Sequence, residues 1–157
     1  MSDELLPLDR ELARLAAAAG PAERRKLGRS IAADLRTANA KRIRANVTPE
    51  GTAMEPRKAS RPTALVSAAK RPKSLRPPRM FTKAPGSLVR SADADMAELG
   101  FSGTADRIMS VHQFGLVDRV SRDRGAPEVA YPERTLLGLS DEDRERILAK
   151  MTAQLAG

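Results

Sequence analysis

An α+β fold in one domain is predicted for this chain of 157 residues, and three observations predict it. Aromatic side chains are scarce, with one Tyr, three Phe and no Trp, so a core has to be assembled from Leu, Ile, Val, Met and Ala, which favours packed helices over a sandwich. Apolar stripes at helical spacing stand near both ends of the chain. Between them, two short segments flank Asp93-Ala94-Asp95 in the pattern of a β-hairpin. The expected architecture is an N-terminal helical hairpin over residues 1–47, a long basic Pro-rich loop or arm over 48–79, and a small α+β part over 80–157. In that last part a small antiparallel sheet with a short helix precedes a C-terminal helix.

Leu5, Leu8, Leu12 and Leu15 recur at intervals of 3, 4 and 3, so residues from about 5 to 18 read as an amphipathic helix ended by Gly20 and Pro21. Pro21 suits the first turn of a second helix, with Glu23 close behind to meet its positive end, and this helix runs to about Asn46. Its apolar stripe is Leu27, Ile31, Leu35, Ala38 and Ile43. Six of the eleven prolines then fall between Thr48 and Arg79, which excludes a regular helix or a central strand and leaves room only for a short helix over Thr63 to Ala69. Ser87 to Ser91 and Met96 to Phe101 read as the hairpin strands. Thr104 to Phe114 reads as a helix capped by Thr104, with Ile108, Val111 and His112 on one face and Gly115 as its stop. Residues 116–127 show little periodicity, and Glu128 to Tyr131 is expected as a third strand before Pro132. Ser140 with Asp143 three residues on starts the last helix in the manner of a capping box, and Ile147, Leu148, Met151 and Leu155 form its stripe. Scarcity of aromatics assigns Phe114 and Tyr131 to the core, with Leu136 and Leu137, and makes His112 structural.

The net charge of +8 is unevenly spread. Residues 24–90 carry 18 Lys and Arg against 3 Asp and Glu, whereas both flanks are net acidic. The candidates for facing DNA or a partner are Arg36, Lys41, Arg42 and Arg44 on the second helix, and Arg57, Lys58, Arg61, Lys70, Arg71, Lys73, Arg76 and Arg79 on the loop. Three readings stand open: contact with nucleic-acid phosphates, contact with an acidic protein surface, or a solvated basic loop.

Chemistry is harder to place. With no Cys there is no disulfide, thiolate site or thiol nucleophile, and a single His leaves metal binding and general-base catalysis without companions. Phosphate-loop, dinucleotide, nucleophile-elbow and zinc-protease motifs are all missing from the sequence. Asp93 and Asp95 fit turn chemistry better than a metal, and Asn46-Val47-Thr48 matches a glycosylation acceptor by chance. No cofactor and no metal are expected, and an enzyme is the least favoured class. The acidic N-terminus and the shortness of every apolar run argue against a signal peptide or a membrane span, so a soluble cytoplasmic product is expected.

Four stretches, taken in order, resemble one family. They are residues 23–46 (ERRKLGRSIAADLRTANAKRIRAN); Thr48-Pro49-Glu50-Gly51-Thr52 with Pro56-Arg57-Lys58; Gly100-Phe101-Ser102-Gly103 leading through Ile108 to Val111-His112-Gln113-Phe114-Gly115-Leu116; and Tyr131-Pro132-Glu133-Arg134-Thr135-Leu136-Leu137-Gly138-Leu139-Ser140. Together they resemble the phage virion morphogenesis family, the tail completion proteins of contractile-tailed phages and prophages. The sequence departs from the family where Ala53-Met54-Glu55 replaces a customary aromatic. The resemblance implies a structural component of the virion neck or tail end, made in the host cytoplasm, that completes the tail and supports head-to-tail joining without catalysis. It also implies a ring of identical copies, six-fold at the tail end, with neighbouring neck or tail proteins as partners, genomic DNA passing through the channel and no membrane. The motif residues expected to matter for structure or interface are His112, Gln113, Phe114, Gly115, Tyr131, Pro132, Arg134, Leu136, Leu137 and Gly138. A small basic nucleic-acid-binding protein is the alternative, although it would lack aromatics interleaved for base stacking.

Overall fold

The computed structural model describes Arg10, Ala13 and Arg14 together with residues 19–56 and 80–156. The expected first helix, apart from three of its residues, the possible helix over residues 63–69, and all eight candidate cations between Arg57 and Arg79 lie outside the described residues. Helix and sheet are mixed, as the sequence predicts. In chain order come α1 (Pro21–Ala45), a 3₁₀ turn (Ala84–Ser87), β1 (Leu88–Ala92), β2 (Ala97–Phe101), α2 (Thr104–Gln113), β3 (Val117–Arg119), β4 (Glu128–Ala130) and α3 (Asp141–Ala156).

Helix α1 starts at Pro21, whose fixed φ suits the first turn. Its end is set by Asn46 in the left-handed conformation (φ 59°), whose N–H bonds back to the last turn. The chain then closes a small hairpin: Val47 bridges Ala53, Thr48 N–H donates to Thr52 O at 2.8 Å, and Met54 N–H donates to Asn46 O at 2.9 Å. Met54 is thereby buried. The expected loop thus begins with an ordered turn, and Met54 occupies the core at the place where the sequence departs from the family's aromatic.

Strands β1 and β2 pair antiparallel with Leu88 opposite Phe101 and Ala92 opposite Ala97. Asp93 makes the turn, its Oδ1 accepting from the N–H groups of Asp95 and Met96 at 2.8 Å each. These hydrogen bonds to its ionised form hold the Asp93 carboxyl below the usual range. The turn reading of Asp93 accounts for the residue fully. The hairpin lies against α1 so closely that a Cβ on Gly28 would stand 3.3 Å from Ala92 Cβ, and Arg36 Nε donates to Leu88 O at 3.0 Å. On another side α1 meets α3, where Lys150 pairs with Asp34. A helix covered on two sides buries a wider arc than one stripe: Ala32, Asn39, Ala40 and Ile43 are buried, while Leu27, Ile31, Leu35 and Ala38 are only half-buried.

The core comprises Ala40, Ile43, Met54, Phe81, Ala84, Leu88, Met109 and Leu136, flanked by Met80, Leu99, Phe101 and Leu137. Several expectations need correction. Phe114 is 65% exposed, because it stands at the C-cap of α2 where the chain turns outward. Ile108 is exposed as well, since the segment covering α2 bonds at His112 and Gln113, a turn beyond it. Gly103, with φ 60°, and not Thr104, is the N-cap of α2. The strand expected over residues 128–131 exists as Glu128–Ala130, but its partner is Val117–Arg119, so a separate two-stranded ribbon forms in place of a third strand on the first sheet.

Candidate functional site

Between Tyr131 and Ser140 the chain is neither helix nor strand, yet it contains Leu136, which is fully buried. A buried irregular segment needs partners for its backbone polar groups, and side chains from α1 and α2 supply them. Gln113 Oε1 accepts from Leu136 N–H at 2.8 Å and from Leu137 N–H at 2.9 Å, while its Nε2 donates to Leu137 O at 3.1 Å. Asn39 Oδ1 accepts from Gly138 N–H at 3.1 Å, and Arg42 donates to Gly138 O at 3.1 Å. Each amide side chain stands in for a strand that is not there.

Arg134 fixes the other end of the segment. It is buried, and its guanidinium donates to Glu55 O at 2.9 Å, to Pro132 O at 3.2 Å and to His112 Nδ1 at 3.3 Å. The His112 ring stands edge-on to Phe81 and Tyr131, at centroid distances of 5.0 and 5.1 Å. Burial, and after it the Arg134 charge, push the His112 pKa below its ordinary value. This imidazole is packed and bonded within the fold.

Gly115 adopts φ 61°, and a Cβ there would come within 3.1 Å of Glu133 N. Gly138 meets Pro49, half a chain away, so closely that a Cβ would lie 2.6 Å from Pro49 Cγ. The Leu-Leu-Gly-Leu element thus receives its glycine from packing against the Thr48–Thr52 turn. Of the remaining motif residues, Tyr131, Pro132 and Leu137 are half-buried along the same path. Phe114 alone turns away from it.

At the start of α3 the capping box is present: Asp143 N–H donates to Ser140 Oγ at 3.2 Å and Ser140 N–H donates to Asp143 Oδ2 at 3.1 Å. Arg42 completes the arrangement at 2.7 Å from Asp143, whose side chain is 2% exposed. Burial opposes ionisation of Asp143, but the hydrogen bonds and charge of Arg42, with those from Ser140, outweigh it and leave the carboxyl below its usual range. Arg42 is therefore engaged inside the fold, and the half-buried Arg36 gives its Nε to Leu88 O. Lys41 and Arg44 are exposed.

Two outward features remain. A groove of about 1430 Å³ runs between the C-terminal half of α1, the turn over residues 47–51 and the first turns of α3. Beyond α2, the ribbon β3–β4 presents Leu116, Val117, Val120 and Val129 as exposed apolar side chains next to Phe114. Among the described residues no cluster of His, Asp or Glu could hold a metal, and no helix is long and apolar enough to cross a membrane.

Sequence reading missed Asn39, Met54, Phe81 and β3. Only Asn39 carried a usable signal, since it stands four residues from both Leu35 and Ile43 on the apolar side of α1 and so was a buried polar group awaiting a partner.

The comparisons with known proteins follow the same path through the chain. The chain is 33% identical over 138 residues to tail completion protein S of Escherichia phage P2, covering 86% of each protein. No solved structure matches it. The model of the phage virion morphogenesis family matches residues 3–156, which takes in α1, the irregular segment and its side-chain partners, and α3: the chain belongs to the phage virion morphogenesis family.

Proposed function

We propose that this protein completes the phage tail as a structural virion component, closing the tail end or neck as a ring of identical copies and supporting stable attachment of the DNA-filled head. The observation that carries the reading is the likeness, along 86% of its length, to a protein whose name is tail completion protein. Six copies is the number implied by the resemblance to contractile-tail proteins. The described chemistry favours scaffolding over catalysis, since its single His, its buried Arg and its buried Asp are all consumed by internal bonds. Unlike outward features, the ribbon and the groove, suit the heterologous contacts from which a closed ring is built. The test is deletion of the gene from the phage that carries it. Filled heads lying beside unjoined tails in electron micrographs are expected, and normal joined particles would overturn the reading.

A second reading, duplex DNA as a direct partner, draws on the exposed Lys26, Lys41 and Arg44 of α1. Binding of free duplex with a steep salt slope would favour it.

A further inference from the structure

We propose that the ribbon β3–β4 of one copy seats in the α1–α3 groove of the next copy, and that this is the contact that closes the ring. The inference rests on the ring reading above.

Two-stranded sheets are marginal in water, and stability normally needs a third strand or a covering layer. Here the pairing is short, Val117 with Ala130, Asp118 with Val129 and Arg119 with Glu128. An ion pair from Arg107 on α2 to Asp118 holds its base. Phe114 and Val117 are 65% and 63% exposed, and Leu116 and Val120 lie alongside. Alternation along the strands puts Val117 on one face of the ribbon and Val129 on the other, so apolar side chains are exposed on both faces, and exposed apolar surface of this kind marks an interaction surface.

Charge selects the occupant. The ribbon's tip carries Arg119, Arg122 and Arg124, all exposed. Glu128 lies across from Arg119 at 3.6 Å, and Asp123 accepts from Ser121 Oγ at 2.8 Å. Arg122 and Arg124 are in no ion pair among the described residues, and the ribbon's three arginines outnumber Asp123 and Glu128. The groove offers the complement. Its lining includes the exposed acids Glu50, Asp141 and Glu142. The lining holds five acids against four cations. Arg42 and Arg146 share Asp143 and Arg144 pairs with Asp141, so among the described residues the exposed acids left without an ion pair are Glu50 and Glu142, with Lys41 and Arg146 as the exposed cations beside them. Ala38, Ala45, Pro49 and Leu139 add apolar lining that matches the valines of the ribbon. An arginine-tipped ribbon and an acid-bearing groove on one chain are two unlike patches, and a heterologous contact between such patches closes into a ring when its rotation divides a full turn. The apolar contact supplies affinity, while the charges set register and rate.

Full-length protein provides the test. Arg122→Glu with Arg124→Glu reverses the tip and spares the Arg119–Glu128 pair. Glu50→Lys with Glu142→Lys reverses the groove and spares the Asp141–Arg144 pair. Wild type is expected to sediment as a multiple of 17.0 kDa, each double variant as a monomer of unchanged helix content by circular dichroism. Mixing the two variants should restore the wild-type species, because an acidic tip then meets a basic groove and a basic tip meets an acidic groove around an alternating ring. If either variant assembles as wild type does, or the mixture remains monomeric, the ribbon and groove are not the contact, although the ring reading stands. A wild type that is monomeric at every concentration, and in crosslinked virions, overturns the ring reading and this inference together.

Discussion

Arg134 donates to the Nδ1 of His112 at 3.3 Å. A guanidinium has no acceptor to offer, so Nδ1 must carry the lone pair and Nε2 the proton: the imidazole is neutral and its tautomer is fixed. Protonating it would set a second cation against Arg134 inside the core. Because the native pKa of His112 lies below its unfolded value of about 6.5, this site contributes stability that is present above pH 6.5 and is lost as pH falls through the native value. His112→Gln, which keeps an acceptor but does not titrate, should therefore be less stable than wild type near pH 8, and the gap should narrow toward pH 5. Urea midpoints across that range are the measurement, and a gap independent of pH would contradict the assignment.

The Arg42–Asp143 pair makes a related prediction with a different range. Removing Arg42 leaves the buried Asp143 carboxylate with only the longer contact to Arg146 and the Ser140 N–H, so Arg42→Met should cost about 1.5–3 kcal/mol at neutral pH, the range of a hydrogen bond to a charged group. The lowered native pKa of Asp143 means that its stabilising ionisation is present above the unfolded value of about 3.9 and is lost as pH falls below it. The penalty of the variant should shrink accordingly as pH falls below 4, because the Asp143 carboxyl deprived of Arg42 takes up a proton before that of wild type does. Thermal midpoints at pH 7 and pH 3.5 check both parts.

Glycine substitutions separate packing from backbone strain. Gly115→Ala forces an L residue to φ 61° and brings Cβ to 3.1 Å from Glu133 N, for a cost of about 1–2 kcal/mol from conformation alone. Gly138→Ala has no such φ, but its Cβ would stand 2.6 Å from a proline ring, so the turn over residues 47–51 must move. Gly86→Ala meets nothing within 4 Å and should stay within about 0.5 kcal/mol of wild type. Denaturant titration of the three variants should rank them in that way, with Gly86→Ala alone near wild type.

Leu136→Ala should cost about 2–5 kcal/mol, as expected of a fully buried leucine. Phe114→Ala, at an exposed site, should stay within about 0.5 kcal/mol of wild type. A large loss of stability in Phe114→Ala would return that residue to the core.

The contrast between those two residues shows what could be read beforehand. The long and strongly punctuated elements were legible: Pro21 and Asn46 bracket α1, Asp93 makes a turn by local hydrogen bonding, and Ser140 with Asp143 opens α3. Each of these signals acts within a few residues. Phe114 was misjudged because size and scarcity say that an aromatic is valuable, not where the chain points it. Arg42 was misjudged because its buried acid lies a hundred residues downstream, beyond any local pattern. The ribbon was half missed because three-residue strands carry too few alternations to show a period. The His-Gln-Phe-Gly and Leu-Leu-Gly-Leu motifs were visible as words, but their meaning was not. They spell the two halves of one set of side-chain-to-backbone bonds.

Those bonds also impose an order of events during synthesis. Asn39 and Arg42 leave the ribosome early, yet the Gly138 groups they bind follow 99 and 96 residues later. Until that part of the chain emerges, α1 lacks the partners that the irregular segment gives to the Asn39 amide and the Arg42 guanidinium. Native contacts of such long sequence separation place final closure late and make it slow. A chain halted before Leu136 therefore has an open seam along α1, whereas one that has passed Ser140 can close it in a single step. The last quarter of the sequence acts as the zipper's slider for α1.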